Sequence, residues 1–192
     1  ADDPASARSG ESVYAFVPRS IVGTYSHGWR IEAERLKRAG VSGATAILRN
    51  EVLHWSLLSL ACACAVVLWL GVTGLLVFLL VALVAIIELE MVNYIEHYGL
   101  ERQKLSDGRY ERTTHLHSWN SDYALSNLLL FQLQRHSDHH AFPKRRYAIL
   151  RHHEDSPQLP GGYAAMFVLA LCSPLWHRVM DPRVRKFKEQ LA

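Results

Sequence analysis

The sequence lacks the features that mark several common protein classes. Cysteine occurs three times in 192 residues, and no pair has the C-x-x-C spacing of a zinc or redox site. Cys62 and Cys64 lie in one apolar run and Cys172 in another, so they read as packing residues in a reducing compartment, not a disulfide framework. Positive charge exceeds negative by only +3, too little to predict a nucleic acid partner. There is no internal repeat and no low-complexity tract. The chain opens Ala1-Asp2-Asp3-Pro4, with no Met, no basic n-region and no signal-peptide apolar segment. This predicts an internal start, in a piece of a longer protein.

Charge is also missing locally, and that absence is informative. Residues 52–87 contain no Asp, Glu, Lys or Arg. One helical crossing of a bilayer needs about 20 apolar residues, and this run is much longer. Gly71-Val72-Thr73-Gly74 falls inside it, which predicts two spans joined near those glycines. Arg30, Arg35, Lys37, Arg38 and Arg49 precede the run, and Arg102, Lys104 and Arg109 follow it. With basic flanks on both sides, a hairpin places both outer ends in the cytoplasm. The second span continues through Glu88, Glu90, Asn93, Glu96 and His97. Asn93, Glu96 and His97 share one side at helical spacing, with Glu90 a turn earlier. Polar groups so near a span are costly unless they face a site.

Elsewhere the pattern predicts helices of other kinds. Residues 13–22 are apolar and interrupted by Pro18, and His27–Ala39 reads as an amphipathic, interfacial helix stopped by Gly40. Asp107-Gly108 marks a turn. A helix is expected over about 121–141, capped by Ser118 or Asn120, with Leu125, Leu128, Leu129 and Leu133 on its apolar face and Pro143 ending it. Residues 154–162 read as a loop. Residues 163–176 read as a short re-entrant or surface helix broken by Pro174. The fold class is therefore all-α: an integral membrane helical protein with a transmembrane hairpin at about 52–96 and cytoplasmic helices carrying metal ligands, all part of one domain over 1–192.

Histidine is abundant, at 11 residues, and concentrated after residue 96. His136, His139 and His140 stand at i, i+3 and i+4. A helix would set three imidazoles on one face, an arrangement that chelates Fe, Cu, Zn or Ni. Asp138 is a candidate to orient a ligand from behind. His97, beside Glu96, is a candidate ligand from the end of the membrane helix. His117 is a candidate for a supporting contact, as are Glu96 and Asn93. His115, His152 and His153 have no clear assignment, and His27, His54 and His177 read as structural. No second histidine box occurs in the chain, so spacing alone predicts a partial site.

Three strings carry a specific resemblance: NYIEHYGL (93–100), HSWNS (117–121) and LQRHSDHHA (133–141). With RYAILRHHEDSPQLPGGY (146–163), PLWHRVMDPRV (174–184) and DPASARSGES (3–12), they resemble the integral-membrane alkane 1-monooxygenases over essentially the whole chain. The resemblance implies a non-haem diiron enzyme of the bacterial inner membrane, multi-pass, with its histidines on the cytoplasmic side. It implies terminal hydroxylation of medium- or long-chain n-alkanes with O2, using electrons from rubredoxin and, behind it, a rubredoxin reductase. It carries His97, His136, His139 and His140 over as iron ligands. It places two further histidine boxes ahead of residue 1, so this chain alone is expected to be inactive. Residues 75–92 are expected to line part of an apolar substrate tunnel between membrane helices, with membrane lipids around them. Arg135, Lys144, Arg145, Arg146 and Arg151 form a basic cluster suited to docking an acidic rubredoxin. Two alternatives stand beside this reading. One is a fatty-acid desaturase or xylene-type monooxygenase with the same style of boxes. The other, of another class, is a non-catalytic membrane metal-binding module.

Overall fold

The computed structural model describes residues 3–191. Seven α-helices account for most of them: α1 (Val13–Arg38), α2 (Gly43–Leu48), α3 (Glu51–His97), α4 (Ala124–Leu129), α5 (His136–Ala141), α6 (Tyr163–Leu171) and α7 (Ser173–Leu191). Two 3-10 turns, His115–His117 and Tyr147–Ile149, lie between them. No strand longer than an isolated bridge occurs among the described residues. The all-helical class expected from the sequence is therefore observed.

The chain divides into two compact units, one of residues 21–89 and the other of residues through Ser20 together with those from Glu90 onward. In the first, α3 is long and apolar enough to cross a membrane. Gly71 leaves helical geometry at φ 69° and ψ −170°, a conformation open to glycine and closed to residues with a Cβ. It divides α3 into two arms at the position where the sequence predicts a turn. The arms, 51–70 and 72–97, are each about 30 Å or longer at 1.5 Å per residue, enough for the hydrocarbon layer. No residue from 51 to 89 is buried, Trp69 being 88% exposed, as lipid-facing residues must be. The two apolar and amphipathic stretches expected before α3 fuse into the single helix α1, with Pro18 inside it. Gly40, at φ 76°, ends it, and the Val41 amide closes on the Leu36 carbonyl at 2.9 Å.

The second unit has an aromatic core. Phe16, Tyr94, Tyr98, Trp119, Tyr163 and Trp176 are all buried. Tyr94 and Trp176 meet at a tilt of 40°, with ring centroids 4.9 Å apart. The buried side of α7 is Trp176, Met180, Val184 and Phe187, spaced at helical period. The apolar stretch at 163–176 is interrupted where the sequence predicts: α6 ends at Leu171, Cys172 leaves helical geometry at ψ 82°, and Pro174 lies in the first turn of α7. The N-terminal segment is tied to the end of α3. The Gly99 amide donates to the Ala7 carbonyl at 2.9 Å and the Tyr94 hydroxyl to the Glu11 carbonyl at 2.7 Å. Gly99, at φ 70°, sits so close to Val184 that a Cβ would meet its side chain at 2.9 Å.

The single helix expected over 121–141 is not observed. It is split into α4 and α5, and between them Phe131 (φ 52°) and Gln132 (φ 63°) adopt left-handed backbone. The backbone that would have started a longer helix is committed elsewhere. The Asn120 amide donates to the Pro157 carbonyl at 2.7 Å and the Ser121 amide to the Gln134 carbonyl at 3.0 Å. Neither Ser118 nor Asn120 caps it. Both are buried, and Tyr123 takes the N-cap position. Asp122 accepts from Asn127 and Arg135 side chains, a local alternative to helical bonding.

Candidate metal centre

Three imidazoles from two helices converge. His97 ends α3, while His136 and His140 lie on α5, and one ring nitrogen of each falls within 4.8 Å of the others. His97 Nε2 and His140 Nε2 lie 3.3 Å apart, the spacing of two donors each about 2.1 Å from a shared ion. His97 faces its Nδ1 toward the backbone carbonyl of His117, at 3.3 Å. That contact puts the proton on Nδ1 and leaves the Nε2 lone pair pointing into the cluster. Burial pushes the His136 pKa well below its ordinary value, and the neighbouring His97, His140 and His139 rings add to the effect. His140 is lowered to about 4, first by burial, then by His97 and His139, with Asp3 opposing. Both rings are neutral at pH 7, the form that binds metal. Nitrogen donors with this spacing and protonation fit a transition-metal ion.

These shifts have a consequence for stability. An unfolded histidine titrates near 6.5, whereas His136 and His140 resist protonation in the folded chain. The unfolded state therefore binds more protons as pH falls below that value, and the folded state loses stability from about pH 6.5 down to about 4. The thermal midpoint of metal-free protein is expected to fall across this window and to level off above it.

His139 stands apart. Its ring is 5.6 Å from that of His136 and 6.1 Å from that of His140, its nitrogens lie outside the cluster, and its side chain is exposed. With His136 it borders a cavity of about 470 Å³ walled by Leu130, Phe131, Leu133, Tyr147 and Leu150.

The supporting candidates separate in the same way. Glu96 is fully buried, with Oε2 3.1 Å from His136 Nε2. His117 supports His97 through its carbonyl. Its imidazole is turned to the Thr114 amide at 3.0 Å and to Glu111 at 3.1 Å. Asn93 pairs with Glu90 at 3.5 Å, and among the described residues its side chain hydrogen-bonds to no histidine of the cluster. Asp138 is buried and faces away from the three nitrogens. It receives Arg145 at 2.5 and 2.6 Å, the Arg151 amide at 2.9 Å and His153 Nε2 at 2.9 Å. Burial pushes its carboxyl up, and the bonds from His153, Arg151 and Arg145 more than offset this. His153 in turn stacks on His115 at 4.5 Å, and His115 holds Asp155 at 2.8 Å. Asp138 thus braces α5 and does not orient a cluster ring.

The basic cluster divides too. Arg145 is spent on Asp138 and lies over the Phe142 ring at 4.3 Å. Arg135 donates to the Leu150 carbonyl at 2.9 Å and to Asp122 at 3.1 Å. Lys144, Arg146 and Arg151 are exposed. Sequence reasoning missed Tyr163, whose hydroxyl donates to Glu96 Oε1. Periodicity carries no signal for a contact made 67 residues away.

Known proteins resemble this chain over nearly its whole length. Alkane 1-monooxygenase 1 of Pseudomonas aeruginosa is 53% identical over 186 residues, covering 97% of this chain and 48% of that protein. Alkane 1-monooxygenase 2 of Alcanivorax borkumensis is 49% identical over 189 residues, 98% of this chain and 49% of that protein. The xylene/toluene monooxygenase hydroxylase component XylM of Pseudomonas putida is 31% identical over 185 residues, 95% of this chain and 48% of that protein. The chain thus spans about half the length of the curated relatives it matches. The family model described as fatty acid desaturase matches residues 1–170. That match takes in the apolar helix, the N-terminal strap and all three converging histidines, so the chain belongs to the fatty acid desaturase family.

Proposed function

We propose that this chain forms one side of the diiron centre of a membrane monooxygenase that converts medium- or long-chain n-alkanes to 1-alkanols with O2. The observation that carries the reading is the convergence of His97, His136 and His140 beside an apolar cavity, in a chain about half identical to two alkane 1-monooxygenases. His97, His136 and His140 are the ligands that converge in this chain, His139 is a fourth on the family resemblance alone, and the remaining donors come from outside these 192 residues. Bound there, iron supplies the oxygen chemistry that no side chain here can perform.

The chain's own part is positional. The His117 carbonyl aims His97, and α5 presents His136 and His140 at fixed spacing. An alkane has no polar handle, so selection falls to shape and apolar contact. Leu130, Phe131, Leu133 and Tyr147 wall an open apolar recess in which a hydrocarbon end can lie against His136 and His139. The centre lies on the cytoplasmic side of a multi-pass protein of the bacterial inner membrane. Product analysis of the complete protein supplied with an n-alkane, O2 and reductant tests the reading. A primary alcohol is expected, and an alkene would reassign the chain to desaturation. Preference for a methylated arene would favour the xylene-type alternative, for which the 31% identity to XylM speaks less strongly than 53% does for the alkane enzyme. A complete protein that binds metal but oxidises none of these would be a binding module.

Electrons arrive from rubredoxin docked on Lys144, Arg146 and Arg151, the cations left outward once Arg135 and Arg145 are engaged. Charge reversal at Lys144 and Arg146 is expected to flatten the ionic-strength dependence of reduction by rubredoxin. An unchanged dependence would remove the docking assignment.

A further inference from the structure

Glu96 presents a problem that the proposed ligand set leaves unsolved. Its carboxyl group is completely buried, and its one ion-pair distance among the described residues is the 3.1 Å to His136. No Lys or Arg is paired with it among those residues. Oε2 completes no hydrogen bond, while Oε1 accepts from Tyr163. A carboxyl group in such a place is costly unless its surroundings answer it. Tyr163 is itself almost without solvent contact. Burial first, and then the nearness of Glu96, raise its pKa well above the ordinary value, so its hydroxyl stays a donor.

Tyr163 is also built into place. Gly162, just before α6, lies so close to Ser126 that a Cβ would meet its hydroxyl at 2.8 Å. The preceding loop is bonded from two sides: Ser121 Oγ donates to the Gly161 carbonyl at 3.2 Å and the Tyr123 hydroxyl to the Pro160 carbonyl at 3.1 Å. These contacts set where α6 begins and therefore where the phenol points. A chain of contacts then runs from α6 through α3 to α5: Tyr163, Glu96, His136.

We infer that Tyr163 is a positioning residue of the metal centre, acting through Glu96 on the ring of His136. This rests on the reading of His97, His136 and His140 as ligands. An imidazole that gives density to a cation becomes a better donor at its other edge, and a carboxylate held there fixes the ring and balances charge. The hydroxyl of Tyr163 occupies one oxygen, so Glu96 keeps the other toward His136. The arrangement gives the buried carboxyl group a use that packing alone does not.

The test uses the full-length protein and Co(II) as the probe ion. Tyr163→Phe removes one oxygen and is expected to weaken Co(II) binding by about tenfold and to shift the visible absorption of the bound ion. Glu96→Gln is expected to weaken it by roughly 10–100-fold. The double variant should be no weaker than Glu96→Gln alone, because the hydroxyl acts only through the carboxylate. Two results would overturn the inference: unchanged affinity and spectrum in Tyr163→Phe, or losses that multiply in the double variant. A lowered thermal midpoint of metal-free Tyr163→Phe with an unchanged Co(II) spectrum would likewise overturn it and mark Tyr163 as a packing residue. His140→Ala separates the two levels. If that variant binds Co(II) as tightly as the parent, the metal-centre reading falls and takes this inference with it. If only His140→Ala loses the ion, the centre stands and the Tyr163 role fails.

Discussion

Replacing His140 with alanine is expected to lower metal affinity on the order of 100-fold or more and to abolish substrate oxidation in the complete protein. His140 Nε2 lies 3.3 Å from the Nε2 of another ligand candidate, His97. Its ring is neutral at working pH, so no proton competes for the site. His139→Ala provides the contrast. His139 is exposed and outside the cluster, so its removal is expected to cost affinity about tenfold or less, although the family resemblance counts it as a ligand. Iron per protein and alcohol formed, measured side by side, check both. Equal losses in the two variants would show that the loaded centre draws His139 in and that the three-nitrogen arrangement is incomplete.

Arg145→Ala is expected to destabilise the protein by about 3 kcal/mol, the lower part of the range for breaking a buried ion pair. Arg145 reaches both oxygens of Asp138, whose side chain has no exposed surface. The variant would leave that carboxylate with the Arg151 amide and His153 only. The loss should sit in folding, with no change in the ionic-strength dependence of reduction, which the proposed docking assigns to Lys144, Arg146 and Arg151. Adding Asp138→Asn to Arg145→Ala should recover part of the stability, since the buried charge disappears with its partner. Chemical or thermal unfolding in detergent measures each. If Arg145→Ala unfolds like the parent, Asp138 does not brace α5.

Some of this was legible in residue order and some was not, for physical reasons. The membrane helix was legible because hydrophobicity over 52–87 is uninterrupted, and its break because only glycine takes the conformation at Gly71. The histidines were legible as a set, but not as the subset that meets His97. On a helix at about 100° per residue, His140 lies about 40° from His136 and His139 about 60° the other way. A partner approaching from one side meets His136 and His140 and leaves His139 at the far edge. The break between α4 and α5 was illegible because its cause is long-range: Asn120 and Ser121 bond to residues 157 and 134. The assignment of Asp138 failed for the same reason. Adjacency to histidine in sequence suggested a contact, while its helical position turns it toward Arg145 and His153. Glu96 was visible as a polar group near a span, but Tyr163, far along the chain, was not.

The contact that aims His97 has a bearing on how this centre tolerates genetic change. Its acceptor is the main-chain oxygen of residue 117, which every amino acid possesses. Replacing the His117 side chain leaves that oxygen in the chain, so the ligand's tautomer is inherited from the path of the backbone, and the codon at that position matters only through that path. The path itself depends on a small cap in which Thr114 accepts from the Leu116 amide and His117 folds back on the Thr114 amide. Variation that spares the turn would pass silently here, while variation in the cap would register at a histidine 17 or more positions away.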